Sequence, residues 1–239
     1  INHIQITANN ANDMQLLGFN KSYFDYPKPS KLIEEILNFE YDSEQIILDF
    51  FSGSATTADA VMQINSKDNG KRRYIMVQIP EKCKENSEVY KLGYRTICDI
   101  AQERIRRAAN KIQKETSAEI DYGFRVYKVD SSNMNDVCFI PKDLRQTKLG
   151  IFENNFKEDR TAEDLLTQVM LNLGLTLDLK IEEKMIKNNK VYFVAENALV
   201  ACLDNNLDLS ILEEICKVKP LRLVFKDESF ITDKKKINK

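Results

Sequence analysis

Residues 49–57 read DFFSGSATT. An apolar run, QIILDFF at 45–51, carries the Asp49 carboxylate near its end. Small side chains follow at Ser52, Gly53, Ser54 and Ala55, and Thr56 and Thr57 open the stretch ADAVMQI. A short apolar run of this kind reads as a buried parallel strand. The stretch after it reads as a helix, with Thr56 and Asp59 at capping-box spacing. Strand–turn–helix units bind ligands at the carboxyl ends of their strands. Small turn residues let backbone N–H groups approach a ligand, and the helix N-terminus adds partial positive charge. A phosphate loop would need Gly-Lys-Ser/Thr and a dinucleotide turn would need GxGxxG; this turn offers only Gly53. A carboxylate at the strand end also disfavours a polyanion. It suits a ligand with a cationic amine.

S-adenosylmethionine has that chemistry: an ammonium, a carboxylate, a sulfonium, a ribose and an adenine. Asp49 could take the ammonium, and amides of the small turn could meet the amino-acid end. A polar residue ending the next strand could reach the ribose or adenine, and Gln78 stands there. Taken alone, the same turn also suits an ordinary packed strand–helix connection, Gln78 a loop contact and Lys28 a solvated position.

The neighbouring segments must hold this turn. FDYPKPSKLIEEILNF precedes it, with Pro27 and Pro29 forcing an extended entry and Ser30 placed to cap a helix bearing Leu32, Ile33, Ile36 and Leu37. RRYIMVQI at 72–79 reads as a second buried strand ended by Pro80, so 45–79 forms a strand–helix–strand unit in a parallel sheet. Residues 94–114 read as a long amphipathic helix with Ile97, Ile100, Ala101, Ile105, Ala108 and Ile112 on one face. Arg104, Arg106, Arg107 and Lys111 fall mostly on the other, which reads as solvated or as a phosphate or subunit contact. YGFRVYKV at 122–129 alternates as an edge strand would. Beyond it, Thr161 and Asp164 cap a helix closed by Gly174, residues 190–203 suggest a hairpin, Ser210 and Glu213 cap a short helix, and LRLVF is a last strand.

The whole chain has 239 residues, 43% hydrophobic and 30% charged, which supports one large or two small domains. The expected division is a linker or tail at 1–22, a ligand-binding half at 23–130, a linker at 131–160 and a small α/β domain at 161–239. The 35 basic and 37 acidic residues leave a net charge of −2, so any contact with nucleic acid must be local or shared with another segment. Five widely spaced cysteines, no CxxC pair and the single His3 support neither a metal site nor a disulfide framework. The cysteines read as reduced, buried residues of a cytoplasmic protein. No apolar run approaches the roughly 20 residues of a membrane span.

DFFSGSATT resembles the S-adenosylmethionine motif of amino-group DNA methyltransferases, close to D-P-F-x-G-S-G-T-T, and FDYPKPSKLI resembles the flanking motif of the same enzymes. Flanking motif, cofactor motif and next strand stand in the order of the β-ordered group. SGSATTADAVMQIN, NGKRRYIMVQIPE, GYRTICDIAQERIRRAANKI and YGFRVYKVDSSN, with ALVACLD and KPLRLVFKDESF further on, resemble the modification (Mod) subunit of type III restriction–modification systems across about residues 20–235. The resemblance implies an α/β fold: a partial Rossmann-like S-adenosylmethionine-dependent methyltransferase sheet with a small α+β C-terminal domain. It implies that Asp49, Phe51, Gly53, Ser54, Thr56 and Thr57 line the methionine end of the cofactor. Phe24, Lys28 and Pro29 would close over it, and Gln78 would face the ribose or adenine. Two residues depart from the pattern: Ala55 replaces the second glycine and Phe50 the proline.

The resemblance further implies adenine-N6 methylation of DNA, a homodimer and a restriction (Res) subunit as partner. The target base would be held by a D-P-P-Y motif. Prolines stand only at 27, 29, 80, 141 and 220, none in such a context, so no catalytic residue is assigned. The motif and the target-recognition region are expected upstream of residue 1, and the chain by itself is expected to be inactive. The other readings are a degenerate remnant that binds only cofactor or a partner, and, less suited, a small-molecule methyltransferase.

Overall fold

A computed structural model describes residues 10–24, 27–39, 42–135 and 156–230. His3, Cys138, the tail from 231 and most of the expected 131–160 linker lie outside the described residues. The chain divides into two compact units, Ile1–Val126 and Tyr127–Lys239.

The first unit begins with helix α1 (Asn10–Leu16). Met14 and Phe19 are buried beside Val89 and Ile100, so this part of the expected linker is packed structure. Helix α2 (Ser30–Leu37) follows the extended entry. Ser30 does not cap it. The N-cap is Pro29, and the Asp13 carboxylate of α1 accepts from both the N–H and the hydroxyl of Ser30. Strand β1 (Ile46–Asp49), helix α3 (Thr56–Asp68) and strand β2 (Arg73–Met76) form the expected unit. The two strands are parallel, with Ile46 opposite Arg73 and Asp49 opposite Met76. A short helix α4 (Glu88–Lys91) leads to the long α5 (Ile97–Thr116). α5 starts three residues later than its sequence pattern suggests, because Thr96 and Asp99 form a capping box there.

The core of this unit lies between α3 and α5. Ala55, Ala58 and Met62 meet Ala101, Ile105, Ala108, Ala109 and Ile112, with Tyr74 and Met76 of β2 packed against them. Tyr122 and Phe124 also pack there, and residues 122–129 form no strand, contrary to the alternation. An alternating segment becomes a strand only where a neighbour offers ladder hydrogen bonds. Here the aromatic rings find α5 instead.

The other face of β1–β2 is bare. Ile46, Leu48, Phe50, Ile75, Val77 and Ile79 are 46–69% exposed. Parallel sheets normally bury both faces. An uncovered apolar face with open strand edges drives association. Sedimentation velocity of the chain should show self-associated species. Lysines at Leu48 and Ile75 should shift it to monomer with an unchanged far-ultraviolet spectrum.

The second unit solves the same problem by covering both faces. Strands β3 (Ile181–Ile186), β4 (Asn189–Val194), β5 (Leu199–Cys202) and β6 (Leu223–Phe225) make one sheet in that order, antiparallel except for β6 beside β5. Helix α6 (Ala162–Asn172) buries Leu165, Leu166 and Met170 against Tyr192, Val194, Leu199 and Ala201. Helix α7 (Ile211–Val218) buries Ile211 and Ile215 against Val191, Phe193, Val200 and Cys202. The alternate residues of β4 and β5 therefore feed two cores, which is why 191–195 and 198–203 read as unbroken apolar runs. The 190–203 hairpin is present. β3 was not legible, because IEEKMI is charge-rich and its two-residue turn, Lys187–Asn188, reaches positive φ at both positions without a glycine. Ser210 stands at the N-cap of α7 but makes no side-chain cap bond; its hydroxyl donates to Asp208.

Thr161 and Asp164 form the expected capping box on α6. Bonds from the Thr161 N–H and hydroxyl hold the Asp164 carboxyl below its ordinary value of 3.8. The Tyr192 hydroxyl, 2.8 Å from Glu163, lowers that carboxyl from 4.5. Depressed carboxylates contribute stability that is present above the unfolded pKa and lost as pH falls through the folded one. The second unit should therefore lose stability on acidification below about pH 4. Asp164→Asn should flatten that loss in denaturant titrations run from pH 6 to pH 3.

Candidate functional site

The site is the turn between β1 and α3, built by backbone conformation before any side chain acts. Gly53 and Ala55 both take the left-handed region, at φ 51° and 61°. For Ala55 that costs about 1–2 kcal/mol. Ala55 therefore keeps the backbone that a glycine would adopt there, and its buried methyl joins the α3–α5 core. Ser52 N–H donates to the Val77 carbonyl at 3.2 Å and Ala55 N–H to the Ser52 carbonyl at 2.7 Å, closing the turn against the end of β2.

Asp49 sits at the carboxyl end of β1. Its Oδ2 accepts from the Thr57 hydroxyl at 2.6 Å and its Oδ1 from the Phe51 N–H at 3.1 Å. A carboxylate has about four acceptor positions, so both oxygens are oriented and capacity remains. Ala55 is the N-cap of α3 and no side chain caps the helix. This corrects the expected Thr56–Asp59 capping box. The Thr56 hydroxyl donates instead to the Lys28 carbonyl at 3.2 Å, and Asp59 turns to a different partner.

That partner is Arg104 of α5. The sequence pattern placed it on the polar face, read as solvated or as a phosphate or subunit contact, but it has no exposed surface. Its Nη1 donates to Ser54 Oγ at 3.0 Å and to Thr56 Oγ1 at 2.7 Å, and its Nη2 to Asp59 at 3.1 Å. A signal existed: Arg104 falls four residues after Ile100, three after Ala101 and four before Ala108, on the apolar stripe. Arg106 is exposed beside Glu103. Arg107 donates to the Leu17 and Gly18 carbonyls and stacks 4.1 Å over Phe19.

The structure brings the remaining residues to the same turn. Phe24 lies close to Gly53, where an added Cβ would stand 3.4 Å from the ring. Lys28 contributes its carbonyl, while its side chain is exposed, and Pro29 starts α2. Gln78 is engaged with the turn itself: Oε1 accepts from the Gly53 N–H at 2.7 Å and Nε2 donates to the Ile79 carbonyl. Phe51 projects outward, 87% exposed. Ser54, Thr56 and Thr57 are buried.

Among the described residues no His, Cys, Asp and Glu cluster is arranged to hold a metal, and no helix is long and apolar enough to cross a membrane. A cavity of about 370 Å³ lies in the second unit, lined by Lys184, Phe193 and Glu214 among others. Lys184 there is paired with Glu182 and sits over the Phe193 ring, so the chemistry remains with the turn.

A parallel strand–helix–strand unit with an acid at the first strand end and an uncapped helix start is an α/β unit of the kind that meets ligands at its strand ends. Comparison with known proteins narrows this. Residues 2–91 match the family model described as DNA methylase. Over 206 residues the chain is 32% identical to the type III restriction-modification enzyme EcoP15I Mod subunit of Escherichia coli, spanning 78% of this chain and 30% of that one. It is 38% identical over 125 residues to the StyLTI Mod subunit of Salmonella typhimurium, spanning 52% of this chain and 19% of that one. It is 38% identical over 87 residues to the type II methyltransferase M.KpnI of Klebsiella pneumoniae, spanning 36% and 21%. The chain is a relative of type III modification subunits, and its first part matches the DNA methylase family. It spans between 19 and 30% of the length of these relatives.

The left-handed Ala55 yields a test. Glycine there would relieve about 1–2 kcal/mol of backbone strain. It would forfeit about 0.8 kcal/mol of buried methyl and about 0.4–1 kcal/mol through the freer unfolded chain. Ala55→Gly should leave stability within about 1 kcal/mol of the parent, whereas Ala55→Val, branched and overpacked, should cost about 2 kcal/mol or more by urea denaturation.

Proposed function

We propose that this chain supplies the S-adenosylmethionine-binding part of a site-specific DNA adenine-N6 methyltransferase of the type III modification kind. The observation that carries the reading is Asp49: an oriented carboxylate at the end of a parallel strand, beside a helix start that no side chain caps. The residues fit the cofactor. Asp49 would take its ammonium, and the unengaged N–H groups at the start of α3 suit its carboxylate. Gly53, with Phe24 against it, leaves a turn without bulk where the ligand would lie, and the outward Phe51 offers a ring face. Gln78 would act here mainly by holding the Gly53 amide in place. Bound S-adenosylmethionine supplies an electrophilic methyl group on sulfonium. This chain's residues would bind and orient the cofactor; among the described residues none is placed to hold a target base.

On this reading the D-P-P-Y motif, DNA recognition, a homodimer and a restriction (Res) subunit belong to the complete cytoplasmic protein. The bare face of β1–β2 supports it, since a parallel sheet of a methyltransferase domain would be covered there by the remaining elements. Ala55 departs from the motif in residue type but takes the left-handed conformation a glycine would adopt there.

Calorimetric titration with S-adenosylmethionine tests the proposal. The folded chain should bind, Asp49→Ala should bind about 10- to 100-fold more weakly as a charged hydrogen-bonding partner is removed, and neither should methylate DNA. A folded chain that binds no cofactor, or a variant that binds equally well, would sink the reading.

A further inference from the structure

Arg104 is a costly residue to bury, and the structure shows where its charge is used. A guanidinium without solvent needs a paired acid and hydrogen bonds for its donors. Asp59 supplies the charge, Ser54 and Thr56 the acceptors, and Nε is left without a partner. A side chain serving packing alone would be better replaced by an apolar one. Arg104 instead reaches across 45–50 residues of sequence onto three positions of the turn and first helical turn.

The contacts propagate. Thr56 accepts from Arg104 and donates to the Lys28 carbonyl, so the same hydroxyl joins α5 to the segment before α2. Asp59 accepts also from Gln63, which donates to Ser30, and Ser30 donates to Asp13. One guanidinium thus fixes the back of the turn and links it to the flanking segment that carries Phe24, Lys28 and Pro29. It does so from behind, with Ser54 and Thr56 between it and the open side of the turn.

We infer that Arg104 is a positioning residue for the ligand-binding turn: through Ser54, Thr56 and Asp59 it holds the turn and the flanking segment in register, and ligand affinity depends on it although it touches no ligand. The affinity half of this inference rests on the cofactor reading above; the geometric half does not.

Two variants test it. Arg104→Lys keeps a charge but not the planar fork. Arg104→Met combined with Asp59→Asn removes the fork without stranding a buried carboxylate. The first readout is amide hydrogen exchange without ligand. In the double variant the Gly53 and Ala55 amides, bonded to Gln78 and Ser52, should exchange at least about tenfold faster, while amides in the middle of α3 and α5 keep their rates. The lysine variant should fall between. The second readout is S-adenosylmethionine affinity, expected to drop at least about tenfold in the double variant and to recover in part with lysine. Unchanged turn amides would overturn the inference. So would a uniform rise through α3 and α5, which would make Arg104 a general stabiliser. A parent chain that binds no cofactor would sink the cofactor reading, and the exchange data would still decide the role of Arg104.

Discussion

The first unit depends on a positive charge placed where water cannot reach it. Arg104 lies behind the β1–α3 turn, against the start of a helix whose own dipole would repel it. The arrangement holds because Asp59 neutralises it at 3.1 Å and two hydroxyls accept from it. Losing one member of such a buried set typically costs about 3–5 kcal/mol, because the other is left charged and unpaired. The composition of SGSATT follows from two demands at once. Small residues allow the left-handed backbone at Gly53 and Ala55, and hydroxyls at Ser54 and Thr56 answer the guanidinium. Alanines at those two positions would satisfy the first demand and fail the second.

The front of the turn has different constraints. Asp49 is oriented by Thr57 and by the Phe51 N–H, and Gln78 spans from the end of β2 to Gly53. Polar groups that could meet a ligand are thus already fixed by the protein, which reduces the ordering cost of binding. The flanking segment belongs to the same construction through the Lys28 carbonyl, not through the lysine charge. A turn of this kind is set by backbone and by the partners behind it, and the side chains named by a motif are only its visible part.

The two units contrast in how they bury sheet. In the second, α6 and α7 cover opposite faces, and the alternation of β4 and β5 divides cleanly between two cores. In the first, α3 and α5 stand behind the parallel pair and its outer residues, Leu48 and Ile75 among them, face solvent.

The strand–turn–helix–strand order, the amphipathic α5 and the capping box on α6 were legible in the residue pattern alone. Each is a local pattern: an apolar run, a helical period, or two residues three apart. Tertiary structure decided what depends on distant partners. Ser30 meets Asp13 instead of capping α2, and Thr56 meets Lys28 and Arg104 instead of capping α3. Tyr122 and Phe124 found a helix where their alternation asked for a strand. Arg104 itself was readable as a member of the apolar stripe, but a buried arginine is tolerable only with its acid and acceptors in place. Those partners lie 45 to 50 residues away, a separation at which spacing says nothing and only packing brings them together.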